Sequence, residues 1–260
     1  MKITIFTSNQ RRHQYLINLL ANVSSELFVV QECRTIFPGQ VPGFYNASEV
    51  MQEYFREVEK AQAKFFKDNF LSIENKKIKF LSISHGDLNH LKMRDLNTFL
   101  QSDIYIIFGS SFIKGELVDF LIEKKAINIH MGISPYYKGA DCNFWALYDD
   151  NPHLVGATIH LLSKGLDSGP ILYHALSSRK ENVFEYSMST ALSAFHSIKE
   201  KLENKSILKI KPIRQDATKE IRYSKKKDFN DDVVLDFLKN KKRIKKFQFS
   251  DTDYKDFYIL

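Results

Sequence analysis

The sequence predicts an α/β protein with a doubly wound, mostly parallel sheet and a small C-terminal appendage. In the first 130 residues, short apolar runs alternate with longer amphipathic stretches, which is the order of strand–helix–strand units. Around residue 211 this alternation stops, and shorter runs rich in basic residues follow. With 260 residues, of which 43% are hydrophobic, the chain can bury one core and an appendage but not three domains.

The individual elements follow from the same patterns, in chain order. Apolar, often β-branched runs predict strands at residues 2–6, 26–31, 78–83, 103–108, 126–130, 155–162 and 170–175. Amphipathic stretches predict helices at about residues 13–21, 48–69, 87–100, 115–124 and 183–202. Ser48 and Asp87 are typical N-cap residues at the starts of two of these helices. Two Pro-Gly pairs in residues 37–43 predict a loop, and the whole resembles a Rossmann-like sheet.

The basic charge of the chain belongs to its C-terminal end. The net charge is +7, yet residues 1–200 hold 21 Lys and Arg against 21 Asp and Glu, while residues 201–260 hold 17 against 10. We therefore expect a neutral domain of residues 1–205 followed by a small basic extension of residues 206–260. Short strands at 210–214 and 220–223, a helix at 229–239 and a basic run at 241–246 are predicted in this extension.

Several classes of protein are excluded by what the sequence lacks. The first residues form a strand-like run without the apolar core and cleavage site of a signal peptide. No stretch approaches the roughly 18 consecutive apolar residues that a spanning helix needs. Cys33 and Cys142 are far apart and have neither disulfide nor metal spacing, so we expect a reduced cytoplasmic setting and no metal.

Chemistry-bearing residues gather at the predicted carboxyl ends of strands, where α/β sheets bind their ligands. Asn128 and His130 end one strand, and the single residue between them turns both side chains to the same side of the sheet. Asp167 lies in a turn flanked by glycines, which lets backbone approach a ligand closely. An amide, an imidazole and a carboxylate in one crevice suit acyl transfer, because they can stabilise an oxyanion and move a proton.

These residues resemble the formyltransferases that use 10-formyltetrahydrofolate, a family with glycinamide ribonucleotide, methionyl-tRNA and amino-sugar enzymes. The family signature is Asn-x-His at a strand end, then a Pro-aromatic-basic-Gly loop, and about forty residues after the Asn an Asp-x-Gly-x-Ile turn. The matching stretches are Asn128 to His130, residues 135–139 (Pro-Tyr-Tyr-Lys-Gly) and residues 167–171 (Asp-Ser-Gly-Pro-Ile). The resemblance covers residues 1–205 as fold and 103–172 as site. Residues 131–134 (Met-Gly-Ile-Ser) depart from the family's usual Pro-Ser-Leu-Leu type run.

The resemblance implies a role for each matched residue. Asn128 would hydrogen-bond the formyl oxygen, His130 would stabilise the oxyanion as an imidazolium, and Asp167 would keep His130 charged and help remove the amine proton. The folate would lie between two segments: Phe108, Gly109, Ser110, Ser111 and Phe112 on one side, and Ser163, Gly165 and Leu166 on the other.

Contacts to the acceptor are expected from Arg11, Tyr136, Tyr137, Lys138 and Gly139, although a solvated turn and loop packing are equally open readings of these residues. The histidines outside the motif are predicted to be surface or packing residues, with His13 left open. They are His85, His90, His153, His160, His174 and His196.

The length of the chain decides among the possible acceptors. Glycinamide ribonucleotide enzymes are shorter, and tRNA enzymes carry a larger C-terminal barrel than residues 206–260 provide. The leading hypothesis is therefore formylation of the amine of a nucleotide-linked deoxyamino sugar for a surface glycan. A methionyl-tRNA or glycinamide ribonucleotide type enzyme and a non-catalytic folate- or partner-binding module remain alternatives. The expected partner is a small-molecule nucleotide sugar, with no nucleic acid and no membrane, and a homodimer is left open.

Overall fold

The computed structural model describes residues 1–34, 48–66, 76–240 and 252–260. In these residues an eight-stranded sheet has the order β10-β8-β7-β5-β4-β1-β2-β3, and β6 pairs with β9 in a second, small sheet. The strands are β1 (Lys2–Ser8), β2 (Glu26–Cys33), β3 (Ile78–Ser84), β4 (Ile104–Ile107), β5 (Ile127–His130), β6 (Tyr137–Gly139), β7 (Ala157–Leu161), β8 (Ile171–Leu176), β9 (Arg222–Ser224) and β10 (Tyr258–Ile259). The helices are α1 (Arg11–Val23), α2 (Glu49–Phe66), α3 (Gly115–Glu123), α4 (Cys142–Tyr148), α5 (Val183–Glu203) and α6 (Asp231–Lys239).

The predicted parallel, doubly wound sheet is confirmed. β1 pairs in parallel with β2 and β4, β2 with β3, and β4 with β5. Strand order therefore reverses between β1 and β4, and such a switch point opens a crevice at the carboxyl ends of the strands. β7 is the exception, because it runs antiparallel between β5 and β8.

The core lies on both faces of the sheet. On one face, α1 presents Leu16, Ile17 and Leu20, and α5 presents a stripe of buried residues at helical spacing, Ala191, Ala194, Phe195, Ile198 and Leu202. On the other face, α3 packs its buried apolar residues against β4. Because both faces are covered, the central strands are apolar along nearly their whole length, which is why the sequence showed them as unbroken runs.

The predicted helix at residues 87–100 is wrong. Two 3-10 helices, Asp87–His90 and Met93–Leu100, take its place, with Leu91 and Lys92 extended between them. The Asp95 carboxylate accepts a hydrogen bond from the Lys92 N–H at 2.9 Å, which starts a new turn there instead of continuing the first. Ser48 does cap α2, since its hydroxyl accepts from the Met51 N–H, whereas residues 37–43 and the helix end beyond residue 66 lie outside the described residues.

Residues of the predicted C-terminal extension pack directly on the main sheet. β10 pairs with β8, β9 pairs with β6, and Ile213 bridges Ile171 without forming a strand of its own. The predicted helix corresponds to α6, and the basic run 241–246 falls among residues that are not described. The division at residue 205 stays a prediction. None of the described helices is long and apolar enough to cross a membrane.

Candidate active site

A cavity of about 590 Å³ opens at the switch point of the sheet. Its walls come from the ends of β1, β4 and β5, from the turn around Asp167, and from residues 226 and 229 of the C-terminal part. Asn128, His130 and Asp167 all line it, so the three residues that the sequence singled out do converge.

The His130 ring lies between two hydrogen-bond acceptors. Its Nε2 lies 3.0 Å from the carbonyl oxygen of Tyr137, and its Nδ1 lies 3.3 Å from Oδ2 of Asp167. A carbonyl and a carboxylate can only accept, so both ring nitrogens satisfy their partners when both carry a proton. The ring is almost fully buried, which keeps these contacts away from water.

Asp167 sits in a turn that only this local sequence allows. Its φ is +48°, in the left-handed region, and a Cβ on Gly169 would come within 1.7 Å of the Leu161 carbonyl. Gln215 fixes the turn from outside, since its side-chain amide donates to the Asp167 and Gly169 carbonyls at 2.8 Å each. The Gly139 N–H donates to Asp167 Oδ2 at 3.2 Å, so the carboxylate is tied to the loop after His130 as well.

His160 is a site residue that sequence reasoning missed. Asn128 Nδ2 lies 2.9 Å from its Nε2 and 3.4 Å from Oδ1 of Asp167. Burial lowers the pKa of His160 to about 4, so the ring is neutral; Nδ1–H donates to the Leu161 carbonyl, and the Nε2 lone pair accepts from Asn128. This fixes which way the Asn128 amide points. Antiparallel pairing of β5 with β7 sets Asn128 opposite His160, and knowledge of this pairing would have identified His160 as a site residue.

The two predicted folate segments do face the same cavity. Residues 108–113 and Ser163, Gly165 and Leu166 all line it. The first segment is anchored by Glu32, whose buried carboxylate accepts from the Ser111 N–H at 2.5 Å, from the Ser111 hydroxyl at 2.9 Å and from the Gly86 N–H at 2.8 Å. Gly109 is required because a Cβ there would come within 2.4 Å of the His13 ring.

His13, left open by the sequence, belongs to this cavity wall. Its Nδ1 lies 2.8 Å from the Thr7 hydroxyl and its ring packs 4.6 Å from that of Phe108. Burial and the neighbouring Arg12 and Arg34 lower its pKa well below the usual value, so it is a neutral packing residue.

Of the predicted acceptor contacts, only Gly139 is among the residues that line the main cavity. Tyr137 is fully buried with its hydroxyl donating to Asp149, and Lys138 pairs with Glu220 at 3.0 Å, so both side chains serve loop packing. The half-buried Tyr136 binds β9 through its carbonyl, and Arg11 lies near Glu59 while its neighbour Arg12 lines the cavity.

The cavity walls combine apolar and cationic groups. Phe108, Phe112 and Leu166, from the two predicted folate segments, give the cavity an apolar surface. Arg12, Arg34 and Lys226 add three cations to its lining. The volume lies within the roughly 300–1,000 Å³ of small-molecule sites, and apolar rings beside backbone groups are suited to a folate. No cluster of three or more His, Cys, Asp or Glu in the described part of the chain could hold a metal.

Comparison with known proteins agrees with this site. The formyl transferase family model matches residues 61–191, half of the chain. Formyltetrahydrofolate deformylase 2, mitochondrial, of Arabidopsis thaliana is 33% identical over 103 residues, covering 40% of this chain and 27% of that protein. Methionyl-tRNA formyltransferase of Thermosynechococcus vestitus is 32% identical over 95 residues, with 36% and 27% covered. The match thus spans about a quarter of the length of these curated relatives.

Similarity to solved structures covers more of this chain than the sequence matches do. A sugar N-formyltransferase from a Shewanella species superimposes with a TM-score of 0.53 at 17% identity, covering 88% of this chain and 78% of that one. At this identity the likeness establishes the fold, while the family model covers both Asn128 and Asp167. The chain belongs to the formyl transferase family.

Proposed function

We propose that this protein transfers the formyl group of 10-formyltetrahydrofolate directly to the amine of a nucleotide-linked deoxyamino sugar used for a surface glycan. The observation that carries the proposal is the position of His130 between two fixed acceptors, with Asn128 in the lining of the same cavity. When bound, 10-formyltetrahydrofolate supplies a formyl carbon that an amine can attack.

The site residues divide the chemistry between them. The His130 imidazolium stabilises negative charge that develops on the formyl oxygen. Asn128 donates one N–H to His160 at 2.9 Å, and its second N–H makes a longer contact of 3.4 Å with Asp167, which the formyl oxygen can replace when it binds. Asp167 keeps His130 protonated and receives the amine proton through water. As the new amide bond forms, the bond between the formyl carbon and the folate nitrogen breaks, and that nitrogen takes up a proton so that tetrahydrofolate can leave.

Transfer is direct, without a covalent acyl-enzyme. Cys142 is the thiol next to the site, but it is buried and its Sγ donates to the Gly139 carbonyl at 3.4 Å. Burial, with Asp167 and Asp141 nearby, raises its pKa well above the usual value, so the nucleophilic thiolate is disfavoured.

The cavity charge supports a phosphorylated acceptor. Arg12, Arg34 and Lys226 line the same cavity as the triad of Asn128, His130 and Asp167. There they can bind a diphosphate. The neutral balance of residues 1–200 favours a small anionic molecule over a polynucleotide. A methionyl-tRNA acceptor is the second candidate, because residues 201–260 carry an excess of seven cations; its binding would weaken steeply with salt.

The test is a formyl-transfer assay read by mass spectrometry. The protein is incubated with 10-formyltetrahydrofolate and UDP-, dTDP- and GDP-linked 4-amino sugars, and formylated product is expected with at least one. His130→Ala should lower turnover by about a hundredfold or more, because an oxyanion donor is lost. His90→Ala, at an exposed position away from the cavity, is the matched control and should keep full turnover. Product from methionyl-tRNA and from no nucleotide sugar would refute the proposal, and turnover with any acceptor would dismiss a non-catalytic module.

A further inference from the structure

Asp141 brings to the cavity a carboxylate that the triad does not use. It lines both the main cavity and an adjoining cavity of about 260 Å³, and His130 and Gly139 line the same two spaces. Asp141 therefore stands where the two cavities meet, next to the reacting centre.

The backbone around Asp141 is fixed on both sides. The Ala140 N–H donates to the Ser224 carbonyl at 3.0 Å, and the Trp145 N–H donates to the Asp141 carbonyl at 3.1 Å. Asp141 itself is in the left-handed region with φ +56°, a conformation that Asp and Asn tolerate better than other non-glycine residues. The backbone that carries the Asp141 side chain is therefore held at the wall of the cavity.

The Asp141 carboxylate has no hydrogen-bond or ion-pair partner in the described part of the chain, although it stands at the start of α4. An Asp at this position ordinarily accepts from the first helical N–H groups, but no such cap forms. The side chain is exposed and lines the cavity, and partial desolvation there raises the pKa of its carboxyl despite the nearby Arg12 and Lys226. Asp167, in contrast, already uses both oxygens on Asn128, His130 and Gly139.

An unpartnered carboxylate beside cationic side chains fits an acceptor that carries both signs of charge. A primary amine reaches the site mainly as an ammonium at neutral pH, and its charge-assisted hydrogen bond to a carboxylate is among the strong ones. Arg12 and Lys226 act electrostatically on Asp141, so a phosphate bound by them would lie close to that ammonium.

We propose that Asp141 recognises the acceptor by binding its ammonium group and orienting it toward a formyl group held at Asn128 and His130; the ammonium gives one proton to solvent water in the cavity before its nitrogen attacks. This role rests on the proposed formyl transfer and adds the residue that selects the amine. The rival explanation is that Asp141 only balances the charge of Arg12 and Lys226.

Asp141→Asn tests this role, because Asn keeps the shape and tolerates the left-handed backbone. The kcat/KM for the acceptor should fall by about 10- to 100-fold, the range expected when a hydrogen bond to a charged group is lost. The KM for 10-formyltetrahydrofolate should stay within about twofold, because no contact in the donor segments changes.

The decisive readout is an acceptor analogue in which a hydroxyl replaces the amine. The wild-type protein should bind the amine form more tightly than the hydroxyl form, and Asp141→Asn should bind both about equally, as inhibition constants measure. Glu59→Gln is the matched control, since Glu59 also lines the adjoining cavity and acts on Arg12 electrostatically, but its carboxylate is already bound by Arg11 and Gln62. It should keep the discrimination.

The outcomes separate this role from the proposed function. No formyl transfer by the wild-type protein to any amine would refute formyl transfer itself. If the wild-type protein instead formylates a different amine, such as methionyl-tRNA, the role of Asp141 is tested with the amine and hydroxyl forms of that acceptor. Wild-type transfer together with unchanged discrimination in Asp141→Asn would refute only the role of Asp141, and an equal loss in Glu59→Gln would support charge balance instead.

Discussion

At the scale of single residues, the hydrogen-bond partners of His130 come from parts of the chain that are far apart in sequence. Its acceptors come from β6 and from the turn at Asp167, and that turn is held by Gln215, 48 positions later. The two 2.8 Å hydrogen bonds from one amide hold the carbonyls of Asp167 and Gly169, and the Asp167 carboxylate faces His130. Gln215 is thus a positioning residue: it acts on the site only through Asp167.

Gln215→Leu should lower kcat by about tenfold or more, because small displacements of a positioned group weigh heavily on turnover. The KM for the formyl donor should change little, and steady-state kinetics separates the two effects. Gln215→Asn, which keeps the donor amide on a shorter side chain, should recover part of the loss. Thr218→Ala, at an exposed position in the same segment, should match the wild type, and an unchanged kcat in Gln215→Leu would contradict the positioning role.

Residue by residue, the site was predictable where its geometry is local. Asn128 and His130 share one strand, and Asp167 stands in a turn that glycines mark, so spacing alone indicated them. His160 could not be found in this way, because its contact with Asn128 arises only when β7 pairs antiparallel with β5. Tyr137 and Lys138 look like ligand contacts in the sequence, but pairing of β6 with β9 buries them.

At the scale of elements, Glu32 near the end of β2 holds the cavity segment of residues 108–112 through Ser111. Glu32 is fully buried, and it joins the segment that carries Ser111 to the Gly86 turn after β3. This buried carboxylate accepts from three donors. Losing it would leave those donors without partners, which is costly, so the contact between the two segments is strongly favoured. Segment 108–112 therefore keeps its shape before any ligand arrives.

Glu32→Gln should raise the KM for the formyl donor by about tenfold, with a smaller effect on kcat. A glutamine amide places a donor where two donors already point, so segment 108–112 loosens while the triad stays in place. Kinetics with varied donor concentration measures this, and circular dichroism checks that the variant is folded. Glu26→Gln, at the surface end of the same strand, is the control, and equal donor KM values in the two variants would argue against this role of Glu32.

Element prediction succeeded where burial is two-sided and failed where side chains compete locally. The strands of the parallel region are apolar on both faces and stood out as runs, and α1, α3 and α5 carry clear apolar stripes. In residues 87–100 the buried positions are Leu88 and Leu96 alone, too sparse to hold a continuous helix against the Asp95 cap. The antiparallel direction of β7 depends on long-range pairing, which no local pattern encodes.

At the scale of the whole molecule, buried neutral histidines make stability depend on pH. Burial lowers the pKa of His160 and of His174 to about 4 each. Between pH 6.5 and 4 the unfolded chain binds a proton at each of these histidines and the folded chain does not. The free energy of unfolding should therefore fall as pH falls from 7 to 5, by up to about 1.4 kcal/mol per pH unit for each histidine.

Urea unfolding between pH 7 and 5 measures this slope, and His174→Gln isolates one contribution. His174 donates to the Ser134 carbonyl and accepts from the Lys255 N–H, and a glutamine offers one donor and one acceptor without titrating. The variant should lose stability less steeply on acidification, whatever its stability at pH 7. A slope equal to that of the wild type would mean that His174 binds protons equally in the folded and the unfolded chain, and would contradict a lowered pKa.

The placement of β10 has a consequence for how the chain emerges during synthesis. β8 is buried along its whole length, and its outer edge is covered by Tyr258 and Ile259, while the Leu260 carbonyl accepts from the Ser178 N–H. Until residues 258–260 leave the ribosome, this part of β8 presents an apolar edge with unpaired backbone groups, the kind of edge on which nascent chains aggregate. Protection of that edge is thus delayed until residues 258–260 have been synthesised, more than 80 positions after β8.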